Sequence, residues 1–317
     1  PVTSAFFIRG KDMAKKTSIG GMALLEGIMM IGPEKKSVAV RKPDGEIDIT
    51  TETLAHNKKI RKIPLVRGVY GIFTQMVYGI KSLMHAASLV DIEEEGDKEP
   101  SKFENWMEKK FGDKAFNIII YFSVAFALLF SVGLFILLPN LLAGLVSTGN
   151  VFLNNLIEGV LRIGIFFTYI VLVSRMKDIR RVWMYHGAEH KTISCYENDE
   201  ELTVENARKY TTKHKRCGTS FLFIVLIVSV LIFSFTGWNS MLLNLVIRLL
   251  LIPVVAGISY EIIKIAGASD GLFSRIASAP GLFFQRFTTK EPDDEMLEVA
   301  IAAFKAVIPE EEGSDKW

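Results

Sequence analysis

Cysteine is nearly absent from this chain: Cys195 and Cys217 are the only two in 317 residues. Both fall in a segment that the charge pattern assigns to the cytosol, where thiols stay reduced, so no structural disulfide is expected. Net charge is small as well, +2 from 37 Lys and Arg against 35 Asp and Glu. No basic patch is interleaved with aromatic residues, which excludes nucleic acid as an expected partner. No apolar core follows Met13-Ala14-Lys15-Lys16 before a glycine-rich run, so no cleavable signal peptide is expected. Met13 reads as a natural start, and residues 1–12 as a non-native or disordered leader.

What the chain has in quantity is apolar residues, half of the total, with 22 phenylalanines. Four apolar runs, roughly 116–138, 154–174, 219–236 and 241–260, approach or exceed the ~20 residues a helix needs to cross a hydrocarbon core. The connection 139–153 has no Lys or Arg, and Gly237-Trp238-Asn239-Ser240 is a short uncharged turn. In contrast, Arg175, Lys177, Arg180, Arg181, Lys191, Arg208, Lys209, Lys213, Lys215 and Arg216 all lie between the second and third runs. The positive-inside rule therefore puts this loop and both termini in the cytosol.

The expected fold class is mainly α: a polytopic membrane protein with about four transmembrane helices, an amphipathic interfacial helix and a small cytosolic cap containing a β-hairpin. Residues 13–63 form the cap segment. It is glycine-rich from Ser18 to Pro33, read as a buried strand or loop, and has alternating polarity at Ser37–Lys42 and Glu46–Thr50 around the turn residues Pro43-Asp44-Gly45. Residues 64–115 hold a helix with apolar positions at Leu65, Val69, Ile72, Phe73, Met76, Ile80, Leu83, Met84 and Ala87, then the acidic linker 91–100. An interfacial lead-in follows, marked by Phe103, Trp106, Met107, Lys109, Lys110 and Phe111. The membrane domain, 116–260, contains the His/Cys-bearing loop 175–218. The C-terminal segment, 261–317, is broken at 267–271 and at Ser278-Ala279-Pro280-Gly281, and ends in a helix starting near Pro292 with Asp293, Asp294 and Glu295 in its first turn.

Chemistry concentrates in Trp183–Glu197, where two histidines, a carboxylate and the thiol of Cys195 crowd together. On a helix, His186 and His190 lie one turn apart on one face and can reach a single ion. His-x-x-Glu-His is the reversed zinc-protease signature, in which two histidines hold Zn²⁺ and the glutamate, here Glu189, handles the proton of a water. Three protein ligands and an open position make a catalytic zinc site. The topology offers His214, Cys217 and Glu261 as the third ligand, since all three emerge on the cytosolic side. If His214 and Cys217 both bind, the site closes and becomes structural. Glu26, flanked by glycines, either feeds this site or belongs to a buried strand or loop where glycine permits close approach. Glu158, Arg162 and Arg248, inside the apolar runs, read first as an ion-pair staple and second as a transport element.

The chain resembles the YqhQ-like family of bacterial integral membrane proteins of unknown function, described as predicted metal-dependent enzymes. The resemblance rests on Gly20–Met30, on Tyr185-His186-Gly187-Ala188-Glu189-His190-Lys191-Thr192, on Arg216-Cys217-Gly218-Thr219-Ser220-Phe221 and on Ile258-Ser259-Tyr260-Glu261. It extends to Ser278-Ala279-Pro280-Gly281 and the tail 288–306. Lys215 stands where the family motif is expected to carry proline. The resemblance implies a bacterial inner-membrane location and a divalent metal. The expected function is a metal-dependent hydrolase acting on a lipid, peptide or membrane-bound metabolite, with zinc as cofactor and the lipid bilayer as partner. The alternative is a non-enzymatic scaffold, biogenesis factor or channel-like homo-oligomer, with a membrane-protein partner and a structural His/Cys site.

Overall fold

The computed structural model describes residues 15–54, 60–90, 106, 109–112, 115–146, 148–269, 271–311 and 313–317. The leader 1–12, the linker 91–100, Phe103, Met107 and Asp270 lie outside the described residues.

Strands β1 (Gly20–Leu24), β2 (Gly27–Ile31), β3 (Lys35–Arg41) and β4 (Ile47–Thr53) form an antiparallel sheet in that spatial order. The expected hairpin is therefore half of a four-stranded sheet, and the glycine-rich run supplies the other half. Glycine is required there because a Cβ on Gly27 would come within 2.5 Å of the Ala39 carbonyl oxygen across the β2–β3 pairing. The period of two along the strands separates two cores. Ile28, Met30 and Ala39 pack with residues of the helices Lys177–Glu197 and Asp294–Lys305, while Leu24, Met29, Val38 and Val40 pack around Ala86 on the opposite face.

Helix α1 (Val66–Leu89) carries Ala86 and buries Gly68, Gly79 and Ser82, while Phe73, Met76 and Leu83 stay exposed. Helix α2 (Ala115–Val132) runs through a widened π turn, Gly133–Leu137, into α3 (Leu138–Leu145), and α4 spans Val151–Val173. Next come α5 (Lys177–Glu197), the short α6 (Val204–Arg208), α7 (Gly218–Ser234), α8 (Met241–Ala268), α9 (Leu272–Thr288) and α10 (Asp294–Lys305). Helix α10 starts as expected, with the Asp293 side chain accepting the Met296 N–H at 2.9 Å. Its buried stripe, including Met296, Leu297, Ala300 and Phe304, joins α5 and the sheet in one core.

Tyr121–Leu145, Val151–Val173 and Met241–Ala268 are long and apolar enough to cross a bilayer, whereas α7, at 17 residues, is apolar but shorter. The third expected run, 219–236, therefore falls short of that length. A second difference concerns Ser278-Ala279-Pro280-Gly281, expected to break the chain but placed inside α9. Pro280 costs one backbone hydrogen bond. Gly281 allows a very close approach to α7, since a Cβ there would stand 2.1 Å from Ser220 Oγ. The Phe284 ring lies tilted against that of Phe223 of α7, centroids 5.0 Å apart, and Gln285 Nε2 donates to Ser220 Oγ at 3.4 Å. These tertiary contacts offset the missing bond and hold the helix continuous.

The chain forms two compact units. One holds the described residues up to 90 with 171–224 and 256–317, and the other those of 91–170 with 225–255. The second unit inverts the usual polarity of a soluble core. Phe122, Phe126, Leu129, Leu242 and Leu250 are exposed, while Asn140, Asn154, Asn155, Glu158, Arg162, Asn244 and Arg248 are buried. Glu158 is paired with both Arg162 and Arg248 and accepts from Asn140 Nδ2 at 3.1 Å. Arg162 donates to the Phe135 carbonyl in the π turn at 2.9 Å and to Ser229 Oγ at 3.2 Å. Arg248 lies over the rings of Phe233 and Trp238, which face the positive charge that one carboxylate leaves over. The three charges thus tie the π turn, α3, α4, α7 and α8 together.

Candidate metal centre

The first unit contains every residue of the candidate centre. On α5 the spacing of four puts the His186 and His190 rings 4.4 Å apart, centroid to centroid. Each imidazole is oriented by a backbone carbonyl on another element. His186 Nδ1 meets the Thr288 oxygen at 2.8 Å, at the end of α9, and His190 Nδ1 meets the Thr212 oxygen at 2.6 Å. A carbonyl can only accept, so Nδ1 carries the hydrogen in both rings and Nε2 faces the interior of the site.

The approach of α9 to α5 depends on Gly187. A Cβ there would lie 2.0 Å from the Lys290 oxygen, and the Lys290 N–H donates to the Trp183 carbonyl at 2.9 Å. The glycine inside His-Gly-Ala-Glu-His thus admits the segment that brings Thr288 to His186.

Cys217, one residue before α7, is the third member. His186 Nε2 stands 3.2 Å from Cys217 Sγ, and ligand atoms of His186, His190 and Cys217 all lie within 4.8 Å of one another. Among the described residues this is the group of three or more His, Cys, Asp and Glu side chains able to hold a metal ion. Burial alone would push the Cys217 thiol up, but His186 and His190 bring it well below the usual thiol range. Burial disfavours a charged His186, yet Cys217, Glu189 and the Thr288 carbonyl raise its pKa to about 9. The neighbours thus favour the thiolate form of Cys217 and the charged form of His186, and cation binding to this pair would release a proton.

Glu189 is buried close enough to interact with His186 and His190 but is outside the group of three converging ligand atoms. Burial raises its carboxyl pKa against the opposing pull of His186 and His190. Its Oε1 accepts the Gly21 N–H of β1 at 2.9 Å. A Cβ on Gly21 would meet the Met29 oxygen at 2.5 Å and the Glu189 carboxyl carbon at 3.3 Å, so the glycine lets the strand reach the carboxylate.

The remaining candidates are engaged elsewhere. His214 lies 5.7 Å from His190, ring to ring, but its Nε2 meets Glu197 Oε2 at 3.2 Å and its backbone is clasped by Gln285 through two hydrogen bonds of 2.8 Å. Burial lowers the His214 pKa, and since a carboxylate can only accept, Nε2–H donates to Glu197. Glu197 also accepts from Thr17 N–H at 2.7 Å and pairs with Arg216. Burial would raise its pKa, but His214, Arg216 and the Thr17 N–H outweigh this and hold it below the ordinary value.

Glu261 is outside the cluster. Its carboxylate pairs with Arg67 and accepts the Leu65 N–H at 3.1 Å, joining α8 to the start of α1. Glu26 occupies the β1–β2 turn with φ 49° and pairs with Arg181 Nε and Nη2 at 2.5 and 2.6 Å, with Tyr185 O–H donating at 3.3 Å. It pins the hairpin to the first turns of α5. Cys195 is buried beside the Glu201 carbonyl at 3.5 Å, and burial pushes its thiol up to about 11. The sequence reading missed Gly187, Thr212, Thr288, Gln285 and Glu197. Of these only the mid-helix glycine left a signal, because Thr212 and Thr288 act through backbone carbonyls and the side chains of Gln285 and Glu197 find their partners only in the folded chain.

A mainly helical chain with three helices long enough to span a bilayer, a four-stranded sheet and a His₂Cys cluster defines the class. The chain belongs to the family described as "Protein of unknown function (DUF1385)", which matches residues 63–310. It is 34% identical over 303 residues to "Uncharacterized protein YqhQ" of Bacillus subtilis (strain 168), a match covering 91% of this chain and 92% of that protein. No solved structure matches it.

Proposed function

We propose that the chain is a multi-pass protein of the bacterial inner membrane with cytosolic termini. In this reading His186, His190 and Cys217 hold a divalent cation, zinc by donor set, for hydrolysis of a substrate at the inner face of the bilayer. The membrane half is supported by the inverted polarity of the second unit and by the apolar helices. The metal half is carried by one observation: three ligand atoms converge within 4.8 Å while backbone carbonyls turn both imidazoles toward them. Two imidazole nitrogens and a thiolate are a donor set that suits zinc.

When bound, the cation would lower the pKa of a water and polarise the bond to be cleaved. The chain's residues supply the rest. Glu189, held by Gly21 N–H through Oε1, would take the proton of the attacking water and return it to the leaving group. Thr288 and Thr212 would keep the imidazoles in the ligating tautomer. The substrate classes that can reach this position are a lipid, a peptide and a membrane-bound metabolite.

A second reading, a non-enzymatic scaffold or channel-like oligomer with a structural centre, draws on burial, since His190 is 1% and Cys217 4% exposed. A closed centre needs a fourth ligand, and His214 already gives its Nε2 to Glu197. Purified protein should carry about one zinc per chain by elemental mass spectrometry, lost in His186→Ala/His190→Ala. Glu189→Gln should retain the metal yet fail to complement a strain lacking its own copy. Metal-free wild-type protein would sink both halves of the metal reading, and full complementation by Glu189→Gln would leave only the structural centre.

A further inference from the structure

Helix α9 presents an apolar stripe that stays largely exposed among the described residues. Leu272, Ile276, Ala279 and Phe283 recur at helical spacing, and the three large side chains are 73%, 65% and 46% exposed. Phe273 beside them is 52% exposed. The opposite face, Ser274, Ser278, Gly281, Phe284 and Gln285, is buried. Arg275 and Arg286 flank the stripe and are exposed, and no Asp or Glu occurs between Leu272 and Thr288.

The position of α9 on the chain says what meets this stripe. It begins four residues after Ala268, the end of a helix able to span a bilayer. It also packs across the first turns of the apolar helix α7, through Gly281 on Ser220 and Phe284 on Phe223. A helix that packs on the first turns of one apolar helix and follows directly after another lies, on the membrane reading, where both would leave the hydrocarbon. An apolar stripe edged by arginines, without acids, suits acyl chains on one side and lipid phosphates on the other.

We infer that α9 is an in-plane membrane helix, with Leu272, Ile276 and Phe283 in the acyl region and Arg275 and Arg286 on the phosphates of an anionic bilayer surface. The inference rests on the membrane reading above. Because the last turn of α9 supplies the Thr288 carbonyl to His186, the same surface supports the orientation of a candidate ligand.

The test uses the full chain in phosphatidylcholine vesicles, with and without phosphatidylglycerol, carrying acyl chains brominated near the headgroup. A fluorescent non-canonical residue is placed in turn at position 276, at 250 on the exposed face of α8, and at 44 in the β3–β4 turn. Quenching at 276 should exceed that at 44 by at least about twofold. It should rise with phosphatidylglycerol, and Arg275→Gln/Arg286→Gln should remove that rise. If 250 is unquenched, the membrane reading itself fails. If 250 is quenched and 276 behaves like 44, the in-plane helix is overturned, including the case in which a second copy covers the stripe. Quenching at 276 that ignores the anionic lipid overturns the phosphate contacts.

Discussion

Glu197 illustrates how a side chain outside the cluster is held in one charge state by its neighbours. It is fully buried with an N–H, an imidazole and a guanidinium around it, and its pKa lies below that of a free glutamate. A carboxylate whose folded pKa is depressed contributes stability above its unfolded value, about 4.3, and loses it as pH falls through the folded pKa. Wild type should therefore lose its stability advantage over Glu197→Gln as the pH drops through that window, read from thermal unfolding across a pH series. His214, lowered by burial and partly raised again by Glu197, loses stability in the same direction, so the comparison is repeated in a His214→Gln background to isolate Glu197. An advantage that persists unchanged to the lowest pH counts against this account. At this scale the sequence showed His186, Glu189 and His190 through their spacing and offered Cys217 among three third ligands. It gave no hint that Glu261 belongs to Arg67, because that pairing joins positions 194 residues apart.

At the scale of elements, α9 is the clearest case of packing overriding local preference. Proline followed by glycine ends most helices, and the sequence reads that way. The close approach of Gly281 to Ser220 reverses the outcome. Gly281→Ala should cost about 1–3 kcal/mol because neither backbone can yield a full methyl's width, and Ser220→Gly in the same chain should recover part of that loss. Unfolding of the two single variants and the double variant measures the coupling, and simple additivity would argue against the contact. The sheet shows the converse. Alternation at β3 and β4 was readable, whereas β1 and β2 were hidden by glycines whose role is to let Met29, Ala39 and Glu189 come near.

At the scale of the molecule, the second unit depends on a buried charge cluster inside an apolar exterior. Glu158→Gln would leave Arg162 and Arg248 buried with no carboxylate between them, a loss of about 3–5 kcal/mol by precedent for broken buried pairs. Adding Arg248→Met should restore a large part of it. Denaturant unfolding in detergent checks both, and a Glu158→Gln protein as stable as wild type would show that the cluster is solvated.

The sequence by itself determined the helical class, the approximate apolar runs, the charge asymmetry of the loops and the pair of imidazoles, because these follow from composition and from local periods of 3.6 and 2. Tertiary structure decided which distant residue completes the cluster, which carbonyls orient it, and which helix survives its own proline. The physical reason is common to all three. Each depends on close approach between segments far apart in the chain, and it is the absent side chains of Gly21, Gly187 and Gly281 that make this approach feasible.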